Sequence, residues 1–175
     1  PLGEDGWDRA FLAGLDEACR ALGCPLLGGD TVRAPVGSPR VLTLAAVGAS
    51  MLAPSRTGAQ AGDALWVTGS VGDAGPGLAI ARGENGPAAL LARYRRPSPR
   101  LAEGRTLAPM VHAMADVSDG LLIDAARMAA ASGLAVAVEL TDVPLSAEYR
   151  DHVGEDRVAR MKAATAGDDY ELLFA

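Results

Sequence analysis

Residues 116–120 read Asp-Val-Ser-Asp-Gly, an acidic segment at the junction between a predicted strand and a predicted helix. Alternate residues of a strand share one face of its sheet, so Asp116 and Ser118 are expected to point the same way. Asp119 then lies near the start of a helix predicted over residues 119–132, where free backbone amides and the helix dipole favour phosphate. The alternative is that Ser118 or Asp119 simply caps this helix, although a residue can cap and ligate at once.

Strand and helix patterns alternate on both sides of this junction, which predicts an α/β or α+β fold. Residues near Ala53 read as a connector and as the best candidate for a domain boundary. The predicted strands cover residues 25–27, 41–50, 64–68, 115–118, 135–140 and 171–175, and the predicted helices cover residues 7–22, 78–82, 87–95, 101–114, 119–132 and 147–164.

Aspartates also follow glycines at two other strand ends. Asp30 comes after a Gly-Gly pair, and Asp168 and Asp169 come after Gly167. Magnesium prefers hard oxygen ligands and keeps phosphate oxygens or waters in its other positions, so the three clusters together indicate a shared polyphosphate and metal site. For any one cluster taken alone, a turn former or helix cap is the better interpretation. Asp124 is expected to be structural.

A nucleotide site in this chain must do without a P-loop. Lys162 is the only lysine, and it lies in a predicted helix rather than in the required Gly-Lys-Ser/Thr context. The glycine-rich residues 69–77 are interpreted as a close-packing turn, with phosphate contact as the less favoured alternative. Arg56, in the connector, is interpreted as an ordinary solvent-exposed residue, with contact to a nucleotide phosphate as the alternative. The basic residues 95–100 are interpreted as a solvated connector.

Composition excludes several classes of protein. A formal net charge of −6 argues against nucleic-acid binding, and no apolar run is long enough to span a membrane. The two cysteines and two histidines lack zinc-site spacing, and two free thiols fit a reducing cytoplasm. Trp66, Phe11 and Cys19 are predicted to be core residues.

Taken together, the motifs resemble those of the thiamine-monophosphate kinases, in the superfamily typified by aminoimidazole ribonucleotide synthetase. They follow the family order over nearly the whole chain. The matching stretches are Gly-Gly-Asp-Thr at residues 28–31, Arg-Thr-Gly at 56–58, Gly-Asp at 62–63, Val-Thr-Gly at 67–69, Arg-Pro-Ser-Pro-Arg at 96–100, Asp-Val-Ser-Asp-Gly-Leu at 116–121, Pro-Leu-Ser at 144–146 and Gly-Asp-Asp-Tyr-Glu-Leu-Leu-Phe at 167–174.

The resemblance implies an ATP- and Mg²⁺-dependent transfer of a phosphoryl group onto thiamine monophosphate, giving thiamine diphosphate. It implies that Asp30, Asp116 and Asp119 bind Mg²⁺. It further implies that ATP contacts Gly29, Asp30, Arg56 and Ser118. Asp168 would contact the thiamine phosphate substrate.

The family template also implies a homodimer of two-domain subunits, with residues 1–53 ending the first domain and residues 54–175 beginning the second. Family members carry an upstream Gly-Asp-Asp metal cluster and a downstream substrate-binding segment that we do not find in this sequence. We therefore expect residues 1–175 alone to turn over thiamine monophosphate negligibly. Two alternatives stay open: another ATP-using enzyme of the superfamily, or a non-catalytic nucleotide-binding remnant.

Overall fold

The computed structural model describes residues 6–35 and 37–175 and divides the chain into two compact units, residues 1–48 and 49–175. The first unit is organised by helix α1 (Gly6–Leu22). Trp7 and Phe11, one turn apart on this helix, stack with their ring centroids 5.4 Å apart. The Arg40 guanidinium lies 4.1 Å from the Trp7 ring centroid and 3.1 Å from the Asp8 carboxylate, which ties a later loop of this unit to the helix.

The strands predicted at residues 25–27 and 41–50 do not form. Their apolar side chains are exposed, with Leu27 and Val47 each 92% accessible. An extended segment is stabilised by pairing with a neighbouring strand, and no strand pair is present among the described residues of this unit. The core positions predicted on α1 are also wrong, since none of its residues, including Phe11 and Cys19, is fully buried.

The second unit is built on a three-stranded sheet with the order β1 (Trp66–Val67), β3 (Glu171–Phe174) and β2 (Met114–Val117). The central strand β3 is antiparallel to both neighbours. Its register places Asp116 opposite Leu172 and Val117 opposite Glu171. These strands confirm three of the predicted ones and bring the last residues of the chain beside the Asp-Val-Ser-Asp-Gly segment.

Six α-helices and a 3₁₀ helix surround this sheet in the described part of the second unit. They are α2 (Ala74–Ala81), α3 (Ala88–Arg95), α4 (Leu101–Leu107), α5 (Leu121–Ala131), the 3₁₀ helix (Leu140–Asp142), α6 (Ala147–Val153) and α7 (Arg157–Thr165). The mixture of helices and strands confirms the predicted α/β (α+β) class. Among the residues described, no helix combines the length and the apolar character that a membrane span requires.

One local prediction is corrected in this unit, and another is made more detailed. Residues 135–140 do not form a strand, because Val138 and Leu140 pack against the core without strand pairing. The helical region predicted over residues 147–164 consists of two helices, since Gly154 adopts a φ of +106° between them. The Asp156 carboxylate then caps α7 by accepting the Ala159 N–H at 2.8 Å.

The core lies between the sheet and helices α5, α6 and α7. Val117, Leu173 and Tyr149 are almost completely buried, and the Tyr149 hydroxyl donates to the Ala159 carbonyl at 2.8 Å. Trp66 is 62% exposed, so its predicted core role is wrong. Its neighbours Leu65 and Val67 pack on the core, and the two-residue period of the strand turns Trp66 to the other face.

The glycine-rich loop of residues 69–77 is close-packed, as predicted. A Cβ atom on Gly72 would lie 2.4 Å from the Ala163 Cβ, and one on Gly77 would lie 2.4 Å from the Leu90 carbonyl oxygen. Gly72 also adopts a φ of +93°, which side chains disfavour. This loop therefore has a rigid position against α7 and α3.

Candidate active site

Two of the predicted acidic clusters meet at one end of the sheet. Beyond the β2–β3 pairing, the Tyr170 N–H donates to the Val117 carbonyl and the Asp168 N–H donates to the Ser118 carbonyl, both at 2.8 Å. The approach is so close that a Cβ on Gly167 would lie 2.6 Å from the Ser118 oxygen. The loop that carries Asp168 is thereby attached to the segment that carries Asp116 and Asp119.

The acidic groups at this end of the sheet are exposed and act on one another. Asp116, Asp119 and Asp168 are all exposed, and the Tyr170 hydroxyl donates to the Asp168 carboxylate at 3.2 Å. That hydrogen bond raises the pKa of Tyr170, and the charges of Asp168, Asp116 and Asp119 raise it further. The result is an anionic surface that suits a bound cation.

The turn before α5 is held by Asp124. One oxygen of this buried carboxylate accepts the backbone N–H groups of Ser118, Asp119 and Gly120 at 3.0 to 3.2 Å. The helix N-cap is Gly120, so neither Ser118 nor Asp119 is the cap, and the structural role expected of Asp124 is confirmed. These amides are already bonded to a carboxylate, which removes the reason to expect a phosphate on them.

Arg127 is the counterion of this turn. Its guanidinium forms an ion pair with Asp119 and another with Asp124, the latter at 3.1 Å. Half of the Asp119 side chain is accessible, so it keeps a face toward solvent. A cation approaching Asp119 therefore competes with Arg127 for this carboxylate.

The donor chemistry of this surface fits a metal ion shared with a ligand. Within residues 6–35 and 37–175, no group of three acidic, histidine or cysteine side chains is arranged to hold a metal ion unaided. Mg²⁺ is commonly bound through one or two carboxylates, with phosphate oxygens and waters completing its octahedron. Asp116 and Asp119 offer two such carboxylates, so they fit a magnesium ion that arrives with a polyphosphate.

The remaining predicted contacts lie elsewhere in the chain. Gly29 and Asp30 belong to the first unit and are exposed there, and the Asp30 carboxylate accepts the Thr31 N–H at 2.7 Å. Arg56 is exposed in the second unit, where its carbonyl accepts the Ser132 hydroxyl at 3.3 Å. The participation of Gly29, Asp30 and Arg56 in one site stays a prediction.

Sequence reasoning missed a buried ionic network behind Asp168. The Arg100 guanidinium donates two hydrogen bonds to Glu171, both at 2.6 Å, and the Thr68 hydroxyl donates to the same carboxylate at 2.5 Å. Residues 95–100 are therefore more than a solvated connector. The two partners lie 71 positions apart, and both were already present in the motifs that carried the resemblance.

A second part of the network surrounds Asp73. This carboxylate is 2% exposed and accepts hydrogen bonds from Arg93 and Ser146, each at 2.5 Å. A cavity of about 190 Å³ lies beside it, and Asp168 and Arg100 contribute to its lining. Both ion pairs and Asp168, the substrate residue implied by the resemblance, thus line the same cavity.

Asp169 connects the two loops. Its carboxylate accepts the Gly72 N–H at 2.5 Å and the Ala74 N–H at 3.1 Å. Burial, together with the smaller effect of the Asp73 and Glu171 charges, raises the pKa of Asp169 to about 6, although the two amide hydrogen bonds lower it. Ionisation of Asp169 near neutral pH consequently lowers the stability of the folded protein.

This cost predicts how stability varies with pH. Below about pH 3 the carboxyl is protonated in both folded and unfolded protein, and its full contribution to stability is present. That contribution is lost as pH rises toward and through the folded pKa of about 6, because the unfolded carboxyl, with its ordinary pKa of 3.8, ionises more easily. The difference between the two pKa values corresponds to about 3 kcal/mol.

Chemical denaturation of wild type and Asp169→Asn between pH 4 and 7.5 measures this effect. The free energy of unfolding of wild type, relative to the variant, is expected to fall by roughly 2 to 2.5 kcal/mol over this range, because a small part of the contribution is already lost at pH 4. Asp151→Asn, on the exposed surface of α6, is the control. A wild-type-to-variant difference that does not change with pH would contradict the raised pKa.

Comparisons with known proteins place both units in one family. The family model described as "AIR synthase related protein, C-terminal domain" matches residues 60–173, more than half of the chain. The model described as "AIR synthase related protein, N-terminal domain" matches residues 1–50. The thiamine-monophosphate kinase of Caulobacter vibrioides is 40% identical over the whole chain, which covers 51% of that protein. The Escherichia coli K12 enzyme of the same name is 33% identical over 98% of the chain, covering 54% of that protein.

Solved structures agree with these matches. The crystal structure of thiamine-monophosphate kinase from Stenotrophomonas maltophilia K279a has a TM-score of 0.64 and 38% identity, covering 71% of this chain and 42% of that one. The structure of AaThiL complexed with AMPPCP and TMP has a TM-score of 0.63 and 32% identity, covering 69% of this chain and 41% of that one. This chain spans about half the length of the curated relatives it matches. It belongs to the AIR synthase related protein family.

Proposed function

We propose that this chain is part of a thiamine-monophosphate kinase, which transfers the γ-phosphoryl group of ATP onto the phosphate of thiamine monophosphate. The observation that carries the proposal is the attachment of the Asp168 loop to the Asp116–Asp119 segment by two backbone hydrogen bonds. This attachment would bring the substrate residue and the metal ligands to one end of the sheet. Relatives with this name, and a related structure holding AMPPCP and TMP, support the choice of substrates.

The proposed roles follow the chemistry of the side chains. Asp116 and Asp119, with Asp30, would hold Mg²⁺, which when bound would offset negative charge on the polyphosphate. Gly29, Asp30, Arg56 and Ser118 would contact ATP, and Asp168 would contact thiamine monophosphate. The acceptor phosphate is already an anion, so no side chain is needed as a general base, and the residues act by positioning and charge neutralisation.

An ADP-release assay on the full-length protein tests the reaction. With ATP and Mg²⁺ present, we expect ADP release to require thiamine monophosphate and to be matched by thiamine diphosphate formation. Release that depends on a different substrate would identify another enzyme of the superfamily. Nucleotide binding without ADP release would identify a non-catalytic binding protein. Residues 1–175 expressed alone are expected to show negligible turnover.

Asp168→Asn is expected to raise the KM for thiamine monophosphate roughly 10- to 150-fold and to leave the KM for ATP nearly unchanged. The thiazolium ring is cationic and the aminopyrimidine is a donor, so a charge-assisted hydrogen bond of roughly 1.5 to 3 kcal/mol would be lost. Asparagine tolerates the φ of +67° at this position, which makes the substitution a fair test of charge. Steady-state kinetics beside a melting curve would separate this outcome from a turn defect, which lowers the melting temperature without separating the two KM values.

The assembly and the location complete the proposal. We infer a homodimer of the full-length protein in the cytoplasm, without nucleic-acid or membrane partners. The acidic balance argues against a nucleic-acid partner, and the two free cysteines fit a reducing cytoplasm. The dimer is carried over from the family template. Light scattering on the purified full-length protein measures the subunit number, and a monomeric mass would refute the dimer.

A further inference from the structure

The turn that presents Asp168 has a strained backbone. Asp168 and Tyr170 adopt φ values of +67° and +53°, and they are the two non-glycine residues with positive φ in the described part of the chain. Aspartate tolerates this region, but tyrosine does so at a cost, on the order of 1 to 2 kcal/mol. Such conformations persist only where the surroundings hold them in place. Something must therefore hold the turn on both sides of residue 169.

Asp169 is in the position to do so. Its carboxylate is the side-chain link between this turn and the N–H groups of Gly72 and Ala74, which lie at 2.5 and 3.1 Å. The glycine loop is itself fixed, since Gly72 lies directly against Ala163 with no space for a side chain. A short carboxylate bonded to two amides of a rigid loop fixes both the position and the orientation of its own backbone.

The charged groups around Asp169 argue that its role is not packing alone. The carboxylates of Asp73 and Glu171 lie close enough to raise the pKa of Asp169, and burial raises it more. Arg93 and Arg100 are engaged by Asp73 and Glu171, respectively. An anion at residue 169 is therefore retained at a cost in stability, as expected where a fixed geometry is needed.

We propose that Asp169 is a positioning residue that holds the strained turn at residues 168–170 against the glycine loop, so that the Asp168 carboxylate is presented to the acceptor substrate. This inference rests on the proposed function for the identity of the acceptor. The holding of the turn itself does not depend on that identity. The two parts are therefore tested by separate measurements on the same variants.

Amide hydrogen exchange on the full-length protein tests the holding of the turn. In Asp169→Ala, exchange at the Asp168 and Tyr170 amides is expected to rise at least tenfold, because their bonds to the Ser118 and Val117 carbonyls open more often. Asp156→Ala removes a carboxylate that accepts one backbone N–H at the start of α7, and it is the control. It should raise exchange only near the start of α7. Unchanged exchange at Asp168 and Tyr170 in Asp169→Ala would overturn the proposal.

Kinetics test the consequence for the substrate. Asp169→Ala is expected to raise the KM for thiamine monophosphate at least tenfold and the KM for ATP less than twofold. Asp156→Ala is expected to change neither KM. Equal changes in both constants would overturn the positioning role. If wild type does not use thiamine monophosphate, the proposed function fails, and the exchange measurement alone decides the inference.

A second variant keeps the test decisive if Asp169→Ala does not fold. Asp169→Asn retains one acceptor oxygen and loses the other, so both exchange and KM should change by an intermediate factor. A folded Asp169→Asn protein that matches wild type in exchange and in both KM values would overturn the proposal.

Discussion

Replacing Arg100 with alanine is expected to lower the free energy of unfolding by about 3 kcal/mol. The Glu171 side chain is 7% exposed, and Arg100 supplies two of its hydrogen bonds. Removing one partner of a buried ion pair leaves the other charge without compensation, which typically costs about 3 to 5 kcal/mol. We expect the lower end of that range, because the Arg100 side chain is itself 26% exposed and water would reach part of the vacated space.

Two further variants isolate the geometry of this pair. Glu103→Gln removes the other acidic partner of Arg100, which lies 3.5 Å away and is 44% exposed, and it should cost less than about 0.5 kcal/mol. Arg100→Lys keeps the positive charge but loses the bidentate hydrogen bonding, and we expect it to lower the free energy of unfolding by an intermediate amount. Chemical denaturation of the three variants provides the comparison. Equal losses of unfolding free energy in Arg100→Ala and Glu103→Gln would show that the Arg100–Glu171 pair stabilises the fold no more than the exposed Arg100–Glu103 pair does.

The parts of the fold that depend on residues close together in the chain could be predicted from local sequence patterns. The positions of β2 and α5 follow from the apolar periodicity around residues 114–131 and from the glycine between the two elements. The close-packed glycine loop was likewise visible in its composition. Asp124 was recognised as structural because it lies inside a helix, although its three bonds to the preceding turn were not foreseen.

Long-range pairing explains what the sequence left undetermined. Residues 41–50 have strand composition, but a strand requires a partner that composition cannot supply. Trp66 illustrates the same limit, because β-branched and aromatic content predicts a strand without predicting which of its faces is covered. The pairing of Arg100 with Glu171 joins two motifs that a linear reading treats separately. The site residues were proposed by resemblance, and the backbone bond between Ser118 and Asp168 connects only the part of that set that lies at residues 116–119 and 168.

The largest effect on activity is expected from the carboxylates at residues 116 and 119. In the full-length protein, Asp116→Asn and Asp119→Asn should each lower the rate of phosphoryl transfer by roughly 30- to 1,000-fold, equivalent to about 2 to 4 kcal/mol, the range seen for preorganised electrostatic groups. Each substitution removes a negative oxygen donor from the anionic surface and keeps the side-chain volume. Both residues are exposed, so the fold should be retained.

The dependence on magnesium distinguishes a ligand from a structural carboxylate. Each variant should need a higher Mg²⁺ concentration for half-maximal rate than wild type, since one donor of the proposed site is lost. Asp124→Asn is the contrasting variant: its carboxylate holds three backbone amides of the same turn and is buried, so it should lower the melting temperature. Its loss of activity should not be recovered by added Mg²⁺. Because Gly120 is the N-cap of α5, near-wild-type turnover of Asp116→Asn or Asp119→Asn at limiting Mg²⁺ would leave that residue with neither a capping nor a metal-binding role.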